Sequence, residues 1–171
     1  MDGTLAAIYL IASLFDMGVN HCGNTGCLAR DAAPVRLSVQ AGDVIFQEER
    51  IGQELYLGYD LDHAYGPFQP TVGFSMTDEG AGWIGLGVKS RFEIGPAGLF
   101  AEGSIMPGYY GAGDGPDLGG NLHIRSALGM GYEFGNGATL SVLYDHRSNA
   151  DTQSPNPGME TLSIRYQVAL D

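Results

Sequence analysis

Leu122-His123-Ile124-Arg125-Ser126-Ala127-Leu128-Gly129-Met130-Gly131-Tyr132-Glu133-Phe134 runs into Gly135-Asn136-Gly137 and then into Ala138-Thr139-Leu140-Ser141-Val142-Leu143-Tyr144-Asp145-His146-Arg147-Ser148-Asn149. In the first run Leu122, Ile124, Leu128, Met130, Tyr132 and Phe134 share one parity, opposite His123, Arg125, Ala127, Gly129, Gly131 and Glu133. Side chains of a strand point alternately to its two faces, so this pattern is a strand with one apolar side and one polar or small side. Gly-Asn-Gly is a hairpin signal, so the second run turns back antiparallel, with Leu140, Val142 and Tyr144 on its apolar face.

The same period extends outward in both directions. Period-2 segments occupy roughly 35–46, 51–61, 67–77, 82–93, 97–107, 121–134, 138–149 and 160–170. Connections around Asp62–Gly66, Gly95-Pro96 and Gly135–Gly137 are short, whereas those after the fifth and seventh segments are about a dozen and ten residues. An even strand count with short turns at one end and longer loops at the other describes an all-β, eight-stranded antiparallel up-and-down barrel. Segments of this length cross a bilayer when tilted, which makes the barrel transmembrane. The polar faces carry Glu54, Glu102, Arg125, Glu133, Asp145, Arg147 and Arg165, mixed charges suited to a salt-bridged interior that eight strands leave only wide enough for side chains. A soluble, lipocalin-like barrel with its apolar face around a small ligand is the alternative that composition leaves open.

The 171 residues suffice for one domain, and 27 Gly with 10% aromatics suit a β-rich chain with many turns. Eight Lys and Arg against 20 Asp and Glu give a formal net charge of -12. That balance excludes nucleic acid as a partner and simple electrostatic docking on anionic lipid. Residues 1–34 lie outside the strand pattern and read as a signal or leader or as an N-terminal extension, with 35–171 the barrel. Leu5 to Phe15 is an apolar run too short to span a bilayer, of a length suited to the core of a secretory signal, but no Lys or Arg precedes Arg30. Alternatively it is a retained apolar helix. Cys22 and Cys27 form no zinc pattern; they are either a small disulfide loop or two free thiols. The sequence ends Val168-Ala169-Leu170-Asp171, without the aromatic residue on which outer-membrane strands usually close.

One stretch carries chemistry. His146 and Ser148 share the apolar parity of Leu140, Val142 and Tyr144, and Glu160 shares that of Leu162, Ile164 and Tyr166 in the following strand. Directly opposed residues on adjacent antiparallel strands lie roughly 5 Å apart, so a Glu–His–Ser line across two strands is geometrically available. Ser needs a base to become a nucleophile, neutral His serves near neutral pH, and a carboxylate fixes the imidazole tautomer. The blander reading is that these are polar residues at headgroup level. An unpaired charge on an otherwise apolar face is costly, which weighs toward a site.

His146-Arg147-Ser148-Asn149-Ala150 followed by Asn156-Pro157-Gly158-Met159-Glu160 resembles the signature of the PagL-type lipid A 3-O-deacylases, also called acyloxyacyl hydrolases. The strong resemblance covers 144–170, and the strand pattern extends it back to residue 35. The resemblance implies a bacterial outer-membrane serine esterase that removes the ester-linked 3-position acyl chain of lipid A. It implies Ser148 as nucleophile, His146 as general base, Glu160 as its orienter and Asn156 in the oxyanion hole. Asn149 belongs to the signature, but its parity turns it inward, as structural support. The implied partners are lipid A or lipopolysaccharide and outer-membrane lipid, with a protein partner or homodimer also open; no cofactor and no metal are expected.

Asp151 departs from the signature, which usually has Gly there. Asp disfavours the positive φ that Gly permits, and its carboxylate would oppose a developing oxyanion. This departure supports the alternative reading, a catalytically weak or inactive barrel serving as a structural or interaction partner in a membrane assembly. The loop 113–121, with Asp114 and Asp117, lacks the ligand spacing of a calcium loop and reads as turn chemistry. Glycines inside strands, as in Gly129-Met130-Gly131, read as packing positions and not as a phosphate cradle.

Overall fold

The computed structural model describes residues 3–23 and 26–170. In chain order the elements are α1 (Thr4–Asp16), a π-helical turn (Met17–His21), β1 (Arg30–Ala32), β2 (Arg36–Phe46), β3 (Glu49–Asp60), β4 (His63–Tyr65), β5 (Gln69–Thr77), β6 (Gly82–Ile94), β7 (Leu99–Gly111), β8 (Leu122–Glu133), β9 (Thr139–Ser148) and β10 (Met159–Ala169). Eight of these strands close into a barrel in the order β10-β2-β3-β5-β6-β7-β8-β9, every neighbouring pair antiparallel. They coincide with the eight period-2 segments to within a few residues. Closure leaves no unpaired strand edge, so all ladder groups can be satisfied without water.

The barrel is polar inside and apolar outside. On the outer wall Ile84, Leu86, Val142, Leu162 and Ile164 are all more than half exposed. A full belt of such side chains in water would forfeit about 1.5–3 kcal/mol for each one left unburied, and soluble monomers rarely expose a contiguous apolar surface of this kind. The lipocalin-like alternative is therefore excluded: the apolar face points outward.

Among the described residues the interior holds four cations and four carboxylates. Arg125 pairs with Glu54 at 2.6 Å and with Asp145 at 2.8 Å, Arg147 with Glu54 at 2.5 Å, Arg165 with Glu102 at 3.1 Å, and Lys89 with Asp60. Neutral groups complete the network: Ser75 donates to Glu54 at 2.8 Å and Arg165 Nε donates to Gln40 at 3.0 Å. The interior is thus formally neutral, and the whole net charge of -12 is carried by the rest of the chain. Above the ions, at the long-loop end, Trp83, Met106, Tyr110, Leu118 and Met159 form an apolar plug. The guanidinium carbons of Arg125 and Arg147 lie 5.6 and 5.7 Å from the Trp83 ring, joining plug to network by cation–π contact. Glu133, counted with the polar faces, lies instead at the short-turn rim, paired with Arg36 at 3.2 Å and Arg91 at 2.9 Å.

Two features lie outside the strand pattern. β1 and β4 form a small antiparallel pair at the short-turn end, where Cys22 and Cys27 are joined as a disulfide. α1 packs on the outer wall of the barrel. Ser90, Gly103 and Leu128 form one cross-strand row on β6, β7 and β8. Tyr9 Oη lies 3.1 Å from Ser90 Oγ, and Ser13 Oγ donates to Ser90 Oγ at 3.1 Å. Tyr9 and Ser13 are fully buried there, while Ile11 and Phe15 point away from the barrel, 69% and 74% exposed. A Cβ on Gly103 would stand 2.6 Å from the Tyr9 ring, so this glycine is what lets the helix close in. The helix turns its few polar groups to the barrel and its apolar groups outward, as a lipid solvent requires.

Candidate active site on β9 and β10

β9 and β10 are paired with Glu160 directly opposite His146. That register puts the carboxylate beside the ring: His146 Nδ1 and Glu160 Oε1 are 3.0 Å apart. Alternation turns Asp145 and Arg147 inward, into the ion network, and His146 and Ser148 outward. The inward ion pairs therefore clamp the strand that presents the outward residues.

His146 and Ser148 are nonetheless only 3% and 9% exposed. Cover comes from the connection between β9 and β10. A Cβ added to Gly158 would lie 2.6 Å from His146 Cε1 and 3.4 Å from Nε2, and Gly158 has φ +72. This glycine lies against the imidazole, in a conformation that other residues adopt at a cost of roughly 1–2 kcal/mol. His146 Nε2 is buried and has no hydrogen-bond partner among the described residues, and Ser148 Oγ makes no hydrogen bond to it there. A buried nitrogen without a partner calls for a reason.

Asn149, 2% exposed, ties the rim together. Its Nδ2 lies 3.2, 2.8, 3.1 and 2.9 Å from the carbonyl oxygens of Leu118, Gly119, Gln153 and Pro155, holding the two long loops to the end of β9. Asn156 Oδ1 accepts the Asn149 backbone N–H at 3.0 Å, which turns its Nδ2 the other way. That amide also donates to Asp151 Oδ1 at 2.8 Å. Asp151 adopts φ 59 despite carrying a side chain, next to Ala150 at φ 54. The backbone conformation expected of Gly is thus kept, and the carboxylate bonds the Asn156 amide.

Sequence reasoning brought together His146, Ser148, Glu160, Asn149 and Asn156. It missed Gly158 and the Asp151–Asn156 bond. A lone glycine two residues before Glu160 was the available signal for the first; nothing local signals the second. If His146 serves as a catalytic base, Gly158→Ala is expected to lower kcat by roughly a hundredfold by displacing the imidazole, with only a few degrees lost in Tm. Parallel kinetics and thermal melts in detergent check this; a proportionate loss of folded protein would instead make Gly158 purely structural.

Among the described residues no group of three or more His, Cys, Asp or Glu is arranged to hold a metal. Asp117 closes its own turn, accepting the Gly119 N–H at 2.9 Å.

Comparison with known proteins agrees with this architecture. The lipid A deacylase PagL of Pseudomonas aeruginosa is 33% identical over 104 residues, 54% of this chain and 57% of that protein, so the alignment spans little more than half of the relative. The crystal structure of the outer membrane enzyme PagL superposes with a TM-score of 0.67 at 23% identity, covering 79% of this chain and 99% of that one. Neisserial surface protein A superposes with a TM-score of 0.53 at 11% identity, covering 83% and 99%. At these identities the superpositions speak for the fold. The family model for lipid A 3-O-deacylase (PagL) matches residues 37–169, nearly all of the barrel. A closed barrel with an apolar outer wall and this kinship lies in the bacterial outer membrane, its long loops on the outer side. The chain belongs to the PagL lipid A 3-O-deacylase family.

Proposed function

We propose that the protein is a serine esterase that removes the ester-linked 3-position acyl chain of lipid A. The observation that carries this reading is the 3.0 Å contact between His146 Nδ1 and Glu160 Oε1, placed on the outward face of the barrel at its outer rim. There it meets the ester region of a lipid embedded in the outer leaflet. Below it on the same wall runs a groove of about 810 Å³, lined by Ala41, Leu55, Met76, Val142, Leu162 and Ile164 with Asp43 among the polar residues at its head. Leu162 follows Glu160 by two residues, roughly 7 Å along the strand, so the groove begins beside the site. An acyl chain held in it places its ester at the rim.

In this reading His146 Nε2 takes the proton of Ser148 Oγ as the oxygen adds to the ester carbonyl. Glu160 holds the Nδ1–H tautomer and stabilises the imidazolium. The oxyanion accepts from the second N–H of Asn156 Nδ2, the first being bound to Asp151. Collapse expels the sugar 3-hydroxyl, which recovers its proton from His146. Water then adds to the acyl-Ser148 ester by the same base and releases the fatty acid.

Mass spectrometry of lipid A from cells expressing the wild type is expected to show loss of one 3-linked chain, and cells expressing Ser148→Ala are expected to retain it. Identical acylation patterns in the two strains would defeat the enzymatic reading and favour the non-catalytic barrel. Asp151 bears on turnover. Asp151→Asn keeps an acceptor for Asn156 and tolerates positive φ, but removes the negative charge beside the oxyanion. A rise of roughly tenfold in kcat is expected, about 1.4 kcal/mol off the barrier; an unchanged or lower rate would mean that the charge holds Asn156 more than it opposes the oxyanion.

A further inference from the structure

We infer that Arg50 binds a phosphate of the lipid A headgroup and sets the register in which the substrate meets the site; this rests on the esterase reading. Of the eight Lys and Arg in the chain, Lys89, Arg125, Arg147 and Arg165 are buried in the interior. Arg36 and Arg91 share Glu133 at the short-turn rim, and Arg30 lies in β1 at the same end. Arg50 alone stands at the outer rim, among Glu48, Glu49, Asp78, Glu79, Asp114 and Asp151. An anionic headgroup is repelled by every part of that rim except one.

The one exception is aligned with the site. His146 pairs with Glu160, Glu160 with Ile45, and Ile45 with Arg50, a single row across β9, β10, β2 and β3. Three strand spacings separate the imidazole strand from the arginine strand, about 14 Å. That gap is shortened by a long side chain and bridged by a sugar-phosphate headgroup. Arg50 is held toward the wall by an ion pair with Asp43 at 2.8 Å. Asp43 pairs with the outward Leu162 and lines the head of the acyl groove. The guanidinium therefore sits at the mouth of the groove, 59% exposed, with most of its five donors directed to solvent or ligand. Acyl chain in the groove and phosphate on Arg50 are two fixed points, and two points determine which ester reaches Ser148.

The test is binding of lipid A and of enzymatically dephosphorylated lipid A, in detergent micelles, to the full-length barrel carrying Ser148→Ala, with and without Arg50→Gln. The Ser148→Ala barrel is expected to bind the phosphorylated form about 10–100-fold more tightly, and Arg50→Gln to abolish that preference while leaving the dephosphorylated form unaffected. Equal affinities for the two forms, or a preference that survives Arg50→Gln, would overturn the inference. So would a preference abolished by EDTA and untouched by Arg50→Gln, which would mean divalent bridging to the acidic rim. Because the readout is binding, it decides on Arg50 even where wild type fails to cleave; cleavage of both forms by wild type, measured alongside, reports on the esterase reading separately.

Discussion

Purified barrel carrying Ser148→Ala hydrolyses lipid A, on the triad reading, about a million times more slowly than wild type, and His146→Ala is nearly as damaging. The double variant loses no more than either alone, because nucleophile and base act as one unit: without the base the hydroxyl keeps its proton, and without the hydroxyl the base has nothing to activate. Glu160→Gln is the gentler of the three, expected at about 10⁴-fold, because the neutral amide disturbs the Nδ1–H tautomer and no longer steadies the imidazolium. Initial rates of fatty-acid release, with circular dichroism to show each barrel folded, check the series. Additive losses in the double variant would mean two independent contributions and no triad.

The second large effect falls on the interior. Glu54 accepts from Arg147 and Ser75 through one carboxylate oxygen and is ion-paired with Arg125 at 2.6 Å through the other, and both of its arginine partners are almost fully buried. Glu54→Ala leaves two guanidinium groups sharing Asp145 as the remaining nearby carboxylate. Removing one partner from a buried ionic network costs about 3–5 kcal/mol, far more than the network itself contributes against an apolar replacement. Glu54→Gln keeps the shape and some of the hydrogen bonds, and is expected to fall between the two. The urea midpoint for unfolding from detergent or liposomes measures this. Arg147 lies between His146 and Ser148 in sequence, so on the esterase reading Glu54→Ala is also expected to lower activity in the barrels that remain folded. A Glu54→Ala barrel as stable as wild type would show that the interior charges are solvated and not mutually dependent.

Much of this was legible in the sequence because a strand's two faces are local. Parity alone put Arg125, Asp145, Arg147 and Arg165 on one face, and Val142, Leu162 and Ile164 on the other. It could not say which face met lipid, since apolar-in and apolar-out barrels share one alternation; the exposure of the outer wall decided that. His146 and Glu160 were legible because ten loop residues and a fixed antiparallel register bring them opposite. What stayed hidden was long-range or conformational. Tyr9 and Ser13 sit inside the apolar run 5–15, and their partner Ser90 is about 80 residues away. Asp151 reads as a defect against the expectation of Gly; only the folded loop reveals that it takes up φ 59 and bonds Asn156. Arg50 looks ordinary until the other seven cations are seen to lie in the interior or at the opposite end of the barrel.

α1 also gives the molecule two different outlines. The row on which it docks lies toward the short-turn ends of β6, β7 and β8, hence in the leaflet away from the cell exterior. A helix with its side chains is about 10 Å across, so the protein's footprint is wider by that much on one flank of the inner leaflet and unchanged in the outer one. Neighbouring barrels are held apart on that flank, and inner-leaflet phospholipid is displaced there. The flank formed by β9, β10, β2 and β3, where the groove opens, keeps an unobstructed border with the outer-leaflet lipid. Crowding in a protein-dense membrane therefore presses on the helix side first and leaves lateral traffic to the groove.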